Sequence, residues 1–477
     1  MRRPALLGAG LTLMLAACGL TAKSEVGASR LAKGASAPDP STPAVTLIAV
    51  TPPPTPQPRA LGLTPWPAPF TYGSGTPPPT AIPPPVEPFA FPGDTINIAL
   101  LGSDRRPNSS AFRTDVVLVL SIQPSAGGAA LISIPRDLYV YLPGYTMFRV
   151  NQAWLFGETL GSPGGGPGML RDTLLYNLGI PIDHYAVVEM SGFSGLIDSV
   201  EGVDVTVACS YTDWRLRRPN LDQNVEANWA LYTVPQGTVH MDGDYALWYA
   251  RSRARSSDFD RSRRQHEVLR AFYRKFLSLG MLPRLPQVYD ELRGLVVTDL
   301  GVGDLIRLAP LATRIDLSQV RSRFINRDQV TGWKVPTSGA AVLLPKPDAI
   351  RTLLEDAFAF DTPDPTQPRQ VLTVEVIPNE THPEWGDLAA ERLNYAGFAA
   401  FSSRGAAGAT GNTHLIDFGI GDPASRDLLR EIFGLPSAAV VDAPETASSF
   451  PYRLVLGDDF RPCYDPARFR SPDAGGG

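Results

Sequence analysis

The chain has 477 residues, with 43 Lys and Arg against 48 Asp and Glu, so its formal net charge is −5. That balance excludes nucleic-acid binding through bulk charge. Three Cys and five His exclude a disulfide-framed scaffold and argue against a Cys/His zinc module, while 43% apolar residues suit a buried core in two domains.

Arg2 and Arg3 precede an apolar run from Ala5 to Ala17, which ends at Cys18. This reads as a secretory signal, because crossing a bilayer takes roughly 20 apolar residues. Leu15-Ala16-Ala17-Cys18 resembles a bacterial lipobox. That resemblance implies a lipoprotein signal peptide over residues 1–18, lipidation of Cys18 and a two-chain anchor on the outer face of the cytoplasmic membrane. Cleavage that leaves Cys18 as a free thiol is the alternative. Residues 19–92 follow, and 19 of the 47 prolines fall between Pro38 and Pro92. Such composition favours extended polyproline segments that cannot pack a core, so this stretch is read as a disordered tether.

The pattern changes after Gly93. Ile96 to Leu101, Val116 to Ile122, Ala129 to Ile134 and Leu138 to Leu142 read as strands. Gly168 to Leu178, Met190 to Val200 and Phe259 to Leu279 read as helices. Val288, Leu292 and Leu295 have helical spacing, as do Val302, Leu305, Ile306 and Ala309 before Pro310. The first domain is therefore placed at 93–357 and a linker at 358–369. A second domain, at 370–461, alternates strands (from Val371, His414 and Tyr452) with helices (from Gly386 and Ala424), and a flexible tail takes 462–477. The fold class expected is α/β: a mixed sheet covered by helices, an α/β sandwich, plus a smaller α/β C-terminal domain.

Charged clusters sit at strand ends in the first domain: Gly102-Ser103-Asp104-Arg105-Arg106, Arg113-Thr114-Asp115 and Arg136-Asp137. If the first two strands form a hairpin, Asp104 and Asp115 meet at one sheet end. Paired carboxylates with arginines suit Mg²⁺ and a phosphate, and surface ion pairing is the plain alternative. Tyr249 to Lys275 holds nine basic residues against three acids. Arg251 and Arg253 share a face if extended, and Arg261 and Arg264 share one near a helix N-terminus, which makes an anion site. Arg270, Arg274 and Lys275 fit a solvated basic face. Gly164 to Gly168 lacks the Lys-Ser/Thr of a phosphate loop and is read as a flexible loop. Ser194 lacks the GxSxG spacing, and the histidines lack ligand spacing. Cys209 and Cys463 lie far apart in the chain, outside one domain, and their pairing stays open.

The order GSDRR, RTD, SIPRD, Arg149-Val150-Asn151, YARSR and DFDRSRRQ resembles the LytR–CpsA–Psr (LCP) family of bacterial envelope proteins, over about Asp94 to Leu279 and more loosely to about residue 357. The second domain is similar to the LytR-type C-terminal domain of some members. The resemblance implies a phosphotransferase that takes a glycopolymer from a polyprenyl-pyrophosphate carrier and attaches it to peptidoglycan through a phosphodiester. It implies Asp104 and Asp115 as ligands of Mg²⁺ (or Mn²⁺). It also implies Arg106, Arg113, Arg136, Arg251, Arg253, Arg261, Arg264 and Gln265 as pyrophosphate-binding. Arg113 and Arg136 are candidates to stabilise the reacting phosphate, and Asp258 is the candidate base, with helix capping or pairing to Arg261 as its alternative. Arg149 and Glu201 depart from the family, which often has Lys and Gly there. A polyprenyl-pyrophosphate hydrolase and a non-enzymatic lipid- or polymer-binding protein remain alternatives. Transcriptional regulation is excluded by the secretion signal and the acidic charge.

Overall fold

The structure, a computed structural model, describes residues 80–103, 112–253, 256–280, 295–315, 320–360, 372–403 and 409–463. The signal peptide with Cys18, most of the tether, Asp104, Arg106, the expected helix around Val288 and Leu292, most of the linker and the tail beyond 463 lie outside them.

The first strands form a meander. β1 (Ile96–Ser103), β2 (Thr114–Gln123) and β3 (Gly128–Ile134) pair antiparallel, with Ile96 opposite Ile122 and Ser103 opposite Thr114. β3 is buried at every position, as a strand covered on both faces must be. A short ribbon, β4 (Tyr139–Tyr141) with β5 (Met147–Arg149), leads through a 3₁₀ turn (Val150–Gln152) into α1 (Ala153–Thr159) and α2 (Gly165–Leu178). The glycine run expected as a loop starts α2. Gly164 caps it at φ +75°, and a Cβ on Gly166 would lie 2.7 Å from the Trp154 ring. β6 (His184–Val188) pairs parallel to β1.

After α3 (Met190–Ser199) comes a separate ribbon of β7 (Val203–Val207) and, later, β10 (Gly237–Met241). Between them stands the hairpin β8 (Tyr211–Leu216) and β9 (Trp229–Val234). Then come α4 (Gly243–Arg251) and α5 (Asp258–Ser278), which a Ser257/Asp260 capping box begins. β11 (Val296–Thr298) and β12 (Val320–Phe324) complete the six-stranded sheet, ordered β11-β6-β1-β2-β3-β12. Between these two, α6 (Val302–Arg314) runs on past Pro310, where the sequence predicts an end. β13 (Val330–Lys334) and β14 (Ala341–Pro345) precede α7 (Pro347–Phe358). The main core joins the sheet to α1, α2 and α7; a second cluster packs α3, α4 and α5 on the β7–β10 ribbon.

The expected tether boundary at residue 92 moves upstream. Phe89 and Phe91 are buried against Phe358, Val86 and Phe89 donate backbone hydrogen bonds to Tyr176 and Gly179, and Arg351 lies 3.9 Å from the Phe89 ring centre. Two phenylalanines in a Pro-rich stretch had more apolar area to bury than the composition suggested.

The C-terminal stretch from residue 372 has its own core cluster and a five-stranded sheet. Its elements are β15 (Thr373–Ile377), α8 (Trp385–Tyr395), β16 (Ala399–Ser402), β17 (His414–Asp417), α9 (Pro423–Phe433), β18 (Val440–Asp442) and β19 (Tyr452–Val455). Cys209 and Cys463 form a disulfide with their Cα atoms 4.4 Å apart. Pro462 and Cys463, placed in a flexible tail by composition, are held there: the Arg392 guanidinium donates to the Arg461 and Pro462 carbonyls at 2.5 and 2.9 Å. No described helix is long and apolar enough to cross a membrane.

Candidate active site

The site forms where β1 ends and β2 begins. Gly102 closes β1 beside Val116, whose Cγ2 would lie 2.8 Å from a Cβ at position 102. Only glycine fits that approach, and the register shifts at Gly102/Ser103, where the described part of the strand ends. Asp115 is the second residue of β2, at the same end of the sheet. Its Oδ1 accepts from Arg136 Nη1 at 3.0 Å and from Asn151 Nδ2 at 3.4 Å. Thr114, fully buried, donates through its hydroxyl to the Asn151 carbonyl at 3.3 Å. The RTD cluster, the arginine after β3 and the 3₁₀ turn after β5 therefore meet around one carboxylate.

Asp137 is a bridge between arginines rather than a free acid. It pairs with Arg136 Nε at 3.4 Å and with Arg149 Nε at 3.2 Å, and Arg149 also donates to the Ala341 carbonyl at 2.7 Å. Arg149 thus ties β5 to β14 and fixes Arg136 from behind. Asn151 carries no charge, so its residue type alone does not mark it as part of a phosphate site. Its burial, 4% exposed, and its bond to Asp115 make it part of the site.

Arg251 ends α4; it is helical, not extended as the spacing suggested. It keeps a solvent-facing surface, yet desolvation by its neighbours lowers its pKa, and the Asp115 charge opposes that shift. Arg251 therefore lies within electrostatic reach of Asp115. Arg113 and Arg253 are exposed on either side of these residues in sequence, and Arg261 is 8% exposed on the first turns of α5. Asp258 is the first residue of α5, and its side chain lies outside the described residues; the helix is capped by Ser257 instead.

Arg264 and Gln265 do something other than expected. Arg264 is fully buried, its guanidinium 3.9 Å from the Tyr211 ring centre. Nε donates to the Tyr249 carbonyl at 2.9 Å, Nη2 to the Ser252 carbonyl, and both terminal nitrogens to Ser256 Oγ at 3.2 Å. Gln265 Nε2 donates to the Ala250 carbonyl at 3.2 Å. These donors fasten the α4–α5 elbow from which Arg251 and Arg253 emerge. Burial behind Tyr211 turns Arg264 from a ligand for an anion into a clamp on the backbone. Beside it, Tyr249 Oη donates to Glu267 Oε2 at 2.7 Å, and Arg263 pairs with the same carboxylate.

Two aromatic groups pack against the main core: Phe112 lies 5.6 Å from Trp154 and Trp154 5.2 Å from Tyr185, while Phe156 lies within 5.1 Å of Tyr145 and Phe148. Arginines around one carboxylate suit a ligand with an anionic head.

The LytR_cpsA_psr family model matches residues 85–351, more than half of the chain. Among curated proteins, the polyisoprenyl-teichoic acid–peptidoglycan teichoic acid transferase TagU of Oceanobacillus iheyensis is 33% identical over 214 residues, 44% of this chain and 61% of that protein. The regulatory protein MsrR of Staphylococcus aureus strain COL is 31% identical over 208 residues, 43% of this chain and 56% of that protein. The chain thus spans about three fifths of the length of these relatives. Among solved structures, TagV of B. subtilis aligns at a TM-score of 0.45 and 21% identity, covering 56% of this chain and 98% of that one.

Proposed function

The chain belongs to the LytR–CpsA–Psr family, and from that premise we propose that it transfers a glycopolymer from a polyprenyl-pyrophosphate carrier to peptidoglycan at the bacterial cell envelope. The observation that carries the reading is the Asp115 carboxylate, gripped by Arg136 and Asn151 with Arg251 in electrostatic reach.

The reaction needs positioning and charge neutralisation more than covalent catalysis. An acceptor hydroxyl oxygen attacks the polymer-side phosphorus, the P–O bond to the polyprenyl phosphate breaks, and that phosphate leaves with the bridging electrons. Arg113, Arg136 and Arg251 supply planar donors for the phosphate oxygens. Arg264 and Gln265 hold the elbow that presents Arg251 and Arg253. The hydroxyl proton needs an acceptor, for which Asp258 is the candidate.

The residues present fit a divalent cation. Asp115 Oδ2 accepts no hydrogen bond among the described residues, and a hard cation takes one or two carboxylates with the rest of its shell from phosphate and water. Asp115 and Asp104 would hold Mg²⁺ or Mn²⁺, which supplies charge neutralisation at the diphosphate when bound. Among the described residues no cluster of three His, Cys, Asp or Glu is arranged to hold a metal unaided.

The test is titration of a polyprenyl diphosphate, with transfer to peptidoglycan followed with Mg²⁺ and with chelator. Losing one charge-assisted contact costs about 1.5–3 kcal/mol. Arg136→Lys and Asp115→Asn should therefore lower donor affinity or transfer about tenfold or more. Wild-type behaviour in both variants would return the cluster to ordinary ion pairing. Product released without acceptor would favour the hydrolase reading. Anchoring is a separate proposal: Cys18→Ser should abolish acyl labelling, and unchanged labelling would sink it.

A further inference from the structure

Helix α5 serves two parts of the molecule. Its first turns carry Arg261, Arg264 and Gln265 and hold the elbow that ends in Arg251. Its second half carries Arg270 and Arg274, one turn apart on one face. These two were expected on a solvated basic face, but Arg270 is only 2% exposed. Between them lies Glu391, a buried residue of α8 in the C-terminal domain. Its Oε1 accepts from Arg270 Nε at 3.4 Å, and its Oε2 from Arg274 Nη1 at 2.8 Å. Burial would raise the Glu391 pKa, yet the two guanidinium groups outweigh it and hold the carboxyl below its ordinary range. Arg270 also lies 4.4 Å from the ring centre of Tyr395, again on α8, and donates to the Val320 carbonyl of β12 at 3.5 Å. The Cys209–Cys463 disulfide joins the same two domains, Cys209 standing two residues beyond β7.

A buried ion triad is weak glue, because desolvation offsets most of its Coulomb gain. What it supplies is direction: each carboxylate oxygen of Glu391 meets its own guanidinium group, which fixes the relative placement of α5 and α8. An interface that needed cohesion alone could bury apolar side chains at no such cost.

We propose that Glu391 is a positioning residue for the transfer reaction: through Arg270 and Arg274 the C-terminal domain fixes α5, and α5 in turn fixes the elbow that presents Arg251 and Arg253. The C-terminal domain is on this account a working part of the transferase. What the elbow binds rests on the function proposed above; the mechanical link does not.

The experiment therefore has two readouts on the full chain. Amide hydrogen exchange follows α5 and residues 249–257, and titration with a polyprenyl diphosphate follows the site. Glu391→Gln should speed exchange through residues 249–266 and raise the donor Kd fivefold or more, while the cooperative thermal transition survives. Glu391→Asp, which keeps the charge, should recover most of the affinity. Arg274→Ala, which removes the more exposed partner, should give the same pattern more weakly and decides the matter if Glu391→Gln does not fold. Faster exchange confined to residues 267–278, with wild-type affinity, would overturn the proposal. If the wild-type chain binds no diphosphate, the functional reading fails and the exchange pattern alone decides the mechanical link.

Discussion

Arg251 and Arg264 look alike in the sequence, two arginines in one basic stretch, and the structure gives them opposite tasks. Arg251 feels the charge of Asp115, whereas Arg264 is consumed by the backbone of the elbow. Substitution should separate them. Arg264→Lys loses the fork that holds the Tyr249 and Ser252 carbonyls, and each buried acceptor left unmet costs about 1–3 kcal/mol. A loss of about 2–4 kcal/mol of stability is expected, measured by denaturant unfolding, against little change for Arg251→Lys. Donor titration should show the reverse emphasis, with Arg251→Lys weakening affinity at unchanged stability. The residue types of the site were legible because strand ends bristling with charge are rare next to apolar runs. Burial was not, since nothing in the spacing tells that Tyr211 lies over Arg264. Glu201 gives a second test. It stands at φ +61°, a left-handed conformation that costs an L-residue about 1–2 kcal/mol. Glu201→Gly removes that strain but adds unfolded-state entropy, so a gain of about 0.5–1 kcal/mol is expected in thermal unfolding. The departure from the family's glycine is thus a matter of backbone geometry.

At the scale of elements, α5 was the easiest to read and the most misleading about its faces. The expected span, Phe259 to Leu279, lies within one residue of the observed one at each end. Its periodicity could not say that the basic face beyond Arg264 would meet another domain, because the partner, Glu391, lies far along the chain. Short-range signals failed where tertiary packing overruled them, as in the glycines that open α2 and the proline inside α6. His266, within α5, supplies a pH test. It is fully buried, its ring 4.3 Å from that of Phe324, and neither ring nitrogen makes a hydrogen bond among the described residues. Desolvation, helped by Arg270, lowers its pKa to about 3. Unfolded, it titrates near the ordinary ~6.5. Below that pH the unfolded chain takes a proton that the folded chain refuses, so stability falls as pH drops through this window, by up to about 1.4 kcal/mol per unit. Between pH 6.5 and 5 the wild type should lose stability, and His266→Leu should flatten that slope. Glu391, whose pKa is depressed, adds its own loss at lower pH, as acid protonates it.

For the whole molecule, two strand–helix series after the prolines were legible, and each builds its own sheet and core cluster. Their edges were not. Phe89 and Phe91 belong to the first core although they sit among prolines, and Cys463 belongs to the second domain's seam. The disulfide lends itself to measurement. Cross-linking residues 254 apart removes freedom from the unfolded chain, and losing such a bond typically costs about 2–5 kcal/mol. The double variant Cys209→Ser/Cys463→Ser should unfold at a correspondingly lower denaturant midpoint, and reductant should bring the wild type to the same place. The bond has another consequence, for how the protein is made and how it ages. It closes a covalent ring that takes in more than half of the chain, and that ring cannot shut until Cys463 has left the ribosome and met an oxidant. Once shut, a protease that nicks the chain anywhere between Cys209 and Cys463 frees nothing. On a gel the cut molecule should run as one species without reductant and fall into two pieces only when thiol is added, so a protein can be damaged in service and still keep both its halves.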